Sequence, residues 1–299
     1  MTPVAAGNSD ASCLQPSYDL ATLLLFPDIA QTLTRIGREL TGIHDETPRV
    51  VHYVSDLRRW LITQIALSFY FDQVTGADPG GLTAARLLKL DALKPYASRN
   101  TISAHLLQMR RFRIFTVEAQ GDLRTRPLIP GDDALRLIRA WLDGHLAALD
   151  SLDGGSRLAV SQAHLALLHH AQPRIARALL DDESWCDPPE SVAIFTLSGM
   201  GSNLLHDLVA RICFPRDDAP RSLIGPLRPR SLVARYGVSR SQVIRLLARA
   251  QEVGDLGWSE PPYGGDAWIS RRLADAYFHW QAVKLATVSR VFAEVQALL

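Results

Sequence analysis

Apolar and polar positions along the first half of the chain follow the spacing of amphipathic helices. This periodicity predicts helices over residues 20–40, 48–72, 82–90, 98–111 and 132–152. After the fourth helix, "RIFTVEA" and "LRTRPLI" alternate apolar and polar residues on either side of "QGD", which predicts a β-hairpin. The second half repeats this order, with a hairpin formed by "LGWSE" and "AWIS" around "PPYGGD" and a last helix over residues 271–298.

The two halves also match each other in sequence. When Ser98 is aligned with Ser239, "SRNTISAHLLQMRRFRIF" lies against "SRSQVIRLLARAQEVGDL", and upstream Pro48 falls on Pro189. Further upstream, "RIGREL" matches "RIARAL" after a small change of offset. No single match is strong, but their common order along nearly the whole chain predicts a tandem duplication.

The duplication divides the chain into two predicted units, over residues 18–152 and 158–299. Residues 153–157, "DGGSR", are expected to form the linker, because two consecutive glycines break a helix. Residues 1–17 lack the basic and apolar regions of a signal peptide and are expected to form a disordered tail.

The segment "LVARYGVSRSQVIRLLARA" has the residue pattern of a helix-turn-helix. Gly237 suits the positive φ of the turn, Ser239 suits the N-cap, and Val243 and Leu247 suit the inner face of the second helix. The corresponding segment of the first unit has Ser98 as the N-cap of its second helix but fits less closely, because its turn is longer and carries Pro95 in place of glycine. A short helix, a turn, a capped helix, a hairpin and a further helix together predict a winged helix-turn-helix.

The second helix of such a motif lies in the major groove, with its N-terminal residues against the base edges. Arginine can bridge guanine O6 and N7, and asparagine can bridge adenine N6 and N7, whereas Thr101 and Gln242 are better placed for phosphates. The alternative is that these residues form solvated helix faces, but the Ser-Arg pair at the same place in both units favours DNA contact. The candidate DNA-binding residues on the two helices are Arg99, Asn100, Thr101, Ser103, Arg240, Ser241, Gln242, Arg245 and Arg249.

The two predicted wings differ in charge. The first carries Arg124 and Arg126, which are two residues apart and therefore share one face of a strand, where they would contact DNA. The second wing has no arginine between Tyr263 and Asp266. The two units are therefore expected to contribute unequally to DNA binding.

These segments resemble the MarR family of bacterial transcriptional regulators. "GDLRTRPLIPGDDALRLIRAWL" is similar to that family's wing and the start of its dimerisation helix, and "YGVSRSQVIRLLARAQEVGDL" is similar to its recognition helix. The resemblance implies a mainly α fold with small β-hairpin wings, in which two tandem units form a single-chain pseudo-dimer on double-stranded DNA. The chain departs from the family in two ways: family members are normally single units that dimerise, and the second wing lacks their basic residues.

The charge distribution fits this interpretation better than the net charge does. Lys and Arg total 32 and Asp and Glu total 31, a net charge of +1, which excludes a protein that coats nucleic acid by uniform charge. The basic residues nevertheless exceed the acidic ones within residues 86–126 and 216–249, which include both helix-turn-helix segments.

Cysteine usage and apolar runs indicate a cytoplasmic protein. Three cysteines without CxxC spacing argue against a disulfide framework and against a zinc site. The apolar runs fall short of the roughly 20 residues that cross a bilayer, so no membrane partner is expected.

Motifs for other chemistry are weak, and no enzyme activity or cofactor is predicted. No phosphate-binding or dinucleotide-binding glycine motif follows a predicted strand. The glycines of "SGMGSN", at residues 198–203, are interpreted as close packing within a helix. His164, His169 and His170 lack the i,i+4 spacing of a helical metal site, so no metal is predicted.

Several aromatic residues are candidates for the lining of a small-molecule effector site. Trp60, Phe69, Tyr70, Phe71 and Trp141 could line a cavity between the units, although an aromatic core is the favoured interpretation. Two function classes follow from the sequence. The first is a sequence-specific transcriptional regulator, monomeric as a pseudo-dimer, with further self-association left open. The second is a winged-helix module that binds protein without DNA.

Overall fold

The computed structural model describes residues 14–48, 52, 54–118, 127–214 and 219–298. The fold is mainly helical with two small antiparallel sheets, as the sequence predicts. The helices of the first half are α1 (Leu20–Leu24), α2 (Ile29–Glu46), α3 (Leu57–Thr75), α4 (Ala84–Leu88), α5 (Arg99–Arg111) and α6 (Asp132–Asp153), with a 3-10 turn at Asp91–Leu93. Those of the second half are α7 (Arg157–Ala163), α8 (Leu167–Asp181), α9 (Glu183–Cys186), α10 (Glu190–Thr196), α11 (Gly201–Ala210), α12 (Pro229–Tyr236), α13 (Arg240–Glu252) and α14 (Arg271–Gln296).

Two of the predicted helices have different bounds in the structure. The helix expected over residues 20–40 is divided into α1 and α2, and Pro27, which lacks the amide hydrogen that would continue the helix, lies between them. The helix expected over residues 48–72 is interrupted before Leu57: Pro48 and His52 are helical, and α3 then starts at Leu57, where the Asp56 side chain accepts a hydrogen bond from the Arg59 amide. It ends at Gly76, which adopts φ 74°.

The glycine-containing segment at residues 198–203 is not one continuous helix, because residues 198–200 lie between two helices and residues 201–203 begin the second, which corrects the sequence interpretation. Helix α10 ends at Thr196, and α11 begins at Gly201. A Cβ atom on Gly201 would lie 1.7 Å from the carbonyl oxygen of Phe195. This close approach of two backbone segments requires glycine.

Each half carries one of the two sheets. In the first half, β1 (Phe115–Val117) pairs with β2 (Leu128–Pro130), and Leu82 forms a bridge to Leu128. In the second half, the strand order is β3-β5-β4, with β4 (Leu256–Glu260) and β5 (Gly264–Ser270) at the predicted hairpin. The strand β3 (Arg221–Gly225) has no counterpart among the predicted elements.

Helices of the two halves pack against each other in matching pairs. Helix α2 of the first half packs on α11 of the second, and α8 of the second half packs on α3 of the first. The side chains follow the same pattern: Arg38 donates from Nε to the carbonyl oxygen of Ala210 at 3.0 Å, and Arg177 forms an ion pair with Asp72. The long helices α6 and α14 also contact each other. The buried apolar side chains of both halves therefore form one continuous core.

The segment predicted as a linker contains a buried joint between the halves. Helix α6 ends at Asp153, and Gly154 adopts φ 73°. Arg157 then starts α7 with no exposed surface and forms ion pairs with Asp150 and Asp153. Its guanidinium also donates to the carbonyl oxygen of Pro16 at 3.0 Å, so the end of the predicted tail lies against this joint.

Candidate nucleic-acid interface

Helices α5 and α13 are built alike at their N-termini. Each has 13 residues and follows a serine N-cap. The Ser98 hydroxyl accepts from the Thr101 amide at 3.1 Å, and the Ser239 hydroxyl accepts from the Gln242 amide at 3.2 Å. Both caps were predicted, and they fix the first turn of the helix that would enter a groove.

The inner faces of the two helices are apolar, and this orients the candidate residues outward. Ile102, Leu106 and Met109 of α5 are buried, as are Val243 and Leu247 of α13. Opposite them, nine of the predicted DNA-binding residues are exposed. These are Arg99, Asn100, Thr101, Ser103, Arg240, Ser241, Gln242, Arg245 and Arg249.

The arginines on these outer faces have no acidic partner within the described part of the chain. Helix α5 has no acidic residue, and α13 has only Glu252, at its end. Arg245 donates from Nε to the carbonyl oxygen of Ser241 at 3.3 Å, which holds it along the helix. Because no ion pair must first be broken, these guanidinium groups are available to phosphates or guanine edges.

The two candidate phosphate ligands already take part in the helix caps. The Thr101 hydroxyl lies 2.9 Å from that of Ser98. The side-chain oxygen of Gln242 accepts from the backbone amide and the hydroxyl of Ser239, at 3.0 and 2.9 Å, which completes a capping box. Both side chains therefore stabilise their helix as well as facing solvent.

The helix-turn-helix of the second half is anchored on both halves of the molecule. Gly237 adopts φ 61° at the turn, as predicted. Arg235 of α12 donates to Asp45 of α2 at 3.1 and 2.8 Å and to Asp207 of α11 at 3.0 Å. Burial lowers the pKa of Arg235, but the hydrogen bond to Asp45 and the charge of Asp207 outweigh it and raise that pKa. The sequence gives no signal for this contact, since the three residues are far apart along the chain.

In the first half, helix α5 is held against the core by a buried histidine. The Nε2 atom of His105 in α5 lies 2.9 Å from the hydroxyl of Thr63 in α3. Burial lowers the pKa of His105 to about 4, so its ring is neutral at physiological pH. This neutral contact joins α5 to the core without placing a charge there.

Not every basic residue counted in the sequence belongs to a free basic surface. Arg86 forms an ion pair with Asp78, and Arg235 is held by its two carboxylates. Arg124 and Arg126, the candidate wing contacts, lie outside the described residues. On α5 and α13, Arg99, Arg240, Arg245 and Arg249 remain exposed and form no ion pair within the described residues.

A cavity of about 150 Å³ lies between the halves. Trp60 and Trp141 line it, as the sequence allowed, whereas Phe69, Tyr70 and Phe71 do not. These three pack in or against the core, which is the interpretation the sequence favoured for them. Lys284, Gln281 and His206 line the same cavity and were not predicted as site residues.

In the described part of the chain, neither the structure nor comparison with known proteins indicates another kind of site. Among the described residues, no group of three His, Cys, Asp or Glu side chains could hold a metal ion. None of the described helices combines the length and apolar character needed to cross a membrane. Comparison with family models, curated proteins and solved structures gave no match.

Proposed function

We propose that this chain is a transcriptional regulator that binds double-stranded DNA through α5 and α13. The observation that carries the proposal is the repeated arrangement of a serine-capped helix of 13 residues, with exposed arginines and a following antiparallel sheet. The two copies belong to halves whose helices pack in matching pairs. In this proposal the halves are tandem duplicated winged helix-turn-helix units, and one chain acts as a pseudo-dimer.

The two helices would read different bases. Helix α5 begins with Arg99 and Asn100, a pair suited to adjacent guanine and adenine, whereas α13 begins with Arg240 and Ser241. A dimeric reader places two such helices in successive major grooves about 34 Å apart. A pseudo-dimer with non-identical helices would therefore prefer an asymmetric or imperfectly palindromic site.

A binding-site selection followed by a salt titration tests the proposal. The full chain is used to select sequences from random duplex DNA, and affinity is then measured by fluorescence anisotropy from low to physiological salt. Arg99→Ala and Arg240→Ala are each expected to lower affinity about 5- to 150-fold and to relax preference at one base. Arg249→Ala is expected to weaken all sequences alike and to reduce the salt slope by about 0.9.

The matched control is Arg290→Ala, which removes an exposed arginine of α14 that is paired with Glu294. It is expected to leave affinity unchanged. Absence of DNA binding at low salt would overturn the proposal, as would equal losses from Arg99→Ala, Arg240→Ala and Arg290→Ala.

One observation favours the second candidate, a protein-binding winged helix. Leu107 is 67% exposed on α5, and such an apolar side chain suits a protein partner. It also suits contact with a thymine methyl group. Under the DNA proposal, Leu107→Ser lowers affinity for the selected site, whereas under the alternative no selected site exists.

A further inference from the structure

The cavity between the halves has aromatic walls. Trp185 and Trp280 stack with ring centroids 4.3 Å apart and planes 6° apart, and the Trp60 ring lies 5.6 Å from Trp185 and 6.1 Å from Trp141. A volume of about 150 Å³ equals that of an engineered protein cavity that binds benzene. The cavity therefore fits a molecule with one aromatic ring. Several of the residues that line it are partly exposed, among them Val54 and Trp60.

An unpartnered amine lies in this cavity. Lys284 is 3% exposed, and its amine forms no hydrogen bond or ion pair within the described part of the chain. Its Nζ atom lies 5.5 Å from the ring centroid of Trp185 and 5.8 Å from that of Trp141. The described residues that line the cavity include no carboxylate that could hold the amine in its charged form.

Burial lowers the pKa of Lys284 to about 7. Two titratable neighbours, His145 and His206, also have lowered pKa values because of burial, so both rings are neutral at pH 7. The free amine of Lys284 is therefore well populated at neutral pH, and a desolvated neutral lysine is a nucleophile.

A second unpartnered group lies beside the amine. Gln281 precedes Lys284 by three residues on α14 and lines the same cavity. Its side chain is 1% exposed, and among the described residues neither its amide nitrogen nor its amide oxygen has a hydrogen-bond partner. Buried amide groups without partners are rare and costly, and a polar group of a ligand would satisfy this one.

Only one half of the chain supplies these two groups. When Trp141 of α6 is aligned with Trp280 of α14, Lys284 corresponds to His145 and Gln281 corresponds to Leu142. One tryptophan of the cavity wall is thus repeated in both halves, whereas the amine and the amide are not. This difference implies one site in each chain.

We propose that the cavity binds a small aromatic aldehyde and holds it as an imine with Lys284. The Nζ lone pair attacks the carbonyl carbon, and the carbonyl oxygen takes a proton from nitrogen to form a carbinolamine. Loss of that oxygen as water, with the second amine proton, leaves the C=N bond. The balance is one amine and one aldehyde giving one imine and one water, without an oxidant or reductant. The Gln281 amide donates to the carbonyl oxygen, and the tryptophans stack on the ring.

Reductive trapping on the full chain tests this proposal. The protein is incubated with benzaldehyde and cyanoborohydride at pH 7, and labelled lysines are identified by mass spectrometry. The sequence contains only three lysines, and Lys89 and Lys94 are exposed, so they act as internal controls. Lys284 is expected to be labelled at least about tenfold faster than either, and this preference should disappear in urea.

Two variants distinguish reaction at Lys284 in the cavity from general modification of lysines by the aldehyde. Lys284→Met keeps an apolar side chain of similar length and should abolish the fast label. Gln281→Leu places in α14 the residue that α6 has, and it should slow labelling of Lys284 while Lys89 and Lys94 react as before. The proposal is wrong if Lys284 is labelled no faster than the exposed lysines. It is also wrong if benzoate binds the cavity and benzaldehyde leaves Lys284 unmodified. Neither result depends on whether the chain binds DNA.

Discussion

Replacement of Arg157 by methionine is expected to destabilise the whole chain, although the residue lies in the segment predicted as a linker. Its guanidinium donates from Nη1 to Asp150 at 3.1 Å and from Nη2 to Asp153 at 2.7 Å, and to the carbonyl oxygen of Pro16. Methionine keeps the apolar stem and removes the charge. A flexible linker would tolerate this change, whereas a buried joint would not.

The size of the effect follows from the burial of the partners. Arg157 has no exposed surface, and the side chains of Asp150 and Asp153 are 15% and 11% exposed. Removing one partner of a buried ion pair costs about 3–5 kcal/mol. For a chain of 299 residues, each kcal/mol corresponds to about 1.6 °C, so Tm should fall by roughly 5–8 °C. The matched control is Arg290→Met, whose ion pair is exposed and should contribute less than about 1 kcal/mol.

The difference in Tm between the wild type and Arg157→Met should also depend on pH. Burial raises the pKa of Asp153, but hydrogen bonds from Arg157 outweigh it and hold that pKa below 3.8. The native ion pair therefore stabilises the protein fully above pH 3.8 and is lost as the pH falls further. Without Arg157, the pKa of Asp153 should rise, because its hydrogen bonds from the guanidinium are lost while its burial remains, so acidification relieves the variant at a higher pH and the difference in Tm narrows as the pH falls from 7. Calorimetry would contradict this reasoning if Arg157→Met lowered Tm no more than Arg290→Met does. It would also contradict it if the Tm difference between the wild type and Arg157→Met were constant with pH.

Two further substitutions test the burial of Lys284 and the close approach of two backbone segments at Gly201. Lys284→Met should stabilise the protein at pH 7 by a few kcal/mol in urea unfolding. The pKa of Lys284 is about 7 in the folded protein and 10.5 in the unfolded chain, so the stability of the wild-type protein rises as the pH increases from 7 to 10.5. The extra stability of Lys284→Met over the wild type should therefore shrink towards pH 10.5. A stability difference that stays constant with pH would contradict the prediction. Gly201→Ala should lower the free energy of unfolding by about 1–3 kcal/mol, because its Cβ would overlap the Phe195 carbonyl. Gly199→Ala, with nothing within 4 Å of its Cβ, is the control, and equal values for the two would count against this packing.

The elements that the sequence predicted best are those with strong local signals. The Gly237 turn, the serine caps at residues 98 and 239 and the second hairpin each depend on residues within one turn or one strand pair. Their conformations are therefore largely decided by local backbone geometry and hydrogen bonds. The break at Pro27 also has a local signal, but the apolar periodicity on either side of it suggested a continuous helix.

The features that the sequence did not predict depend on long-range contacts. The strand β3 pairs with β5 across the whole helix-turn-helix, and five residues of "RSLIG" carry too little pattern to indicate that partner. Lys284 and Gln281 occupy an otherwise ordinary helix, and only the packing of α14 on the other helices makes them cavity residues. Arg157 follows two glycines, where a charged residue normally indicates solvent exposure.

The central claim, that one chain reads two grooves with two different helices, is tested most directly by footprinting. Hydroxyl-radical footprints of the wild-type chain on its selected DNA should show two protected segments about 10 base pairs apart. Arg99→Ala should weaken protection of one segment and Arg240→Ala that of the other, with one chain bound to each site. A single protected segment, or identical changes from both substitutions, would contradict the account.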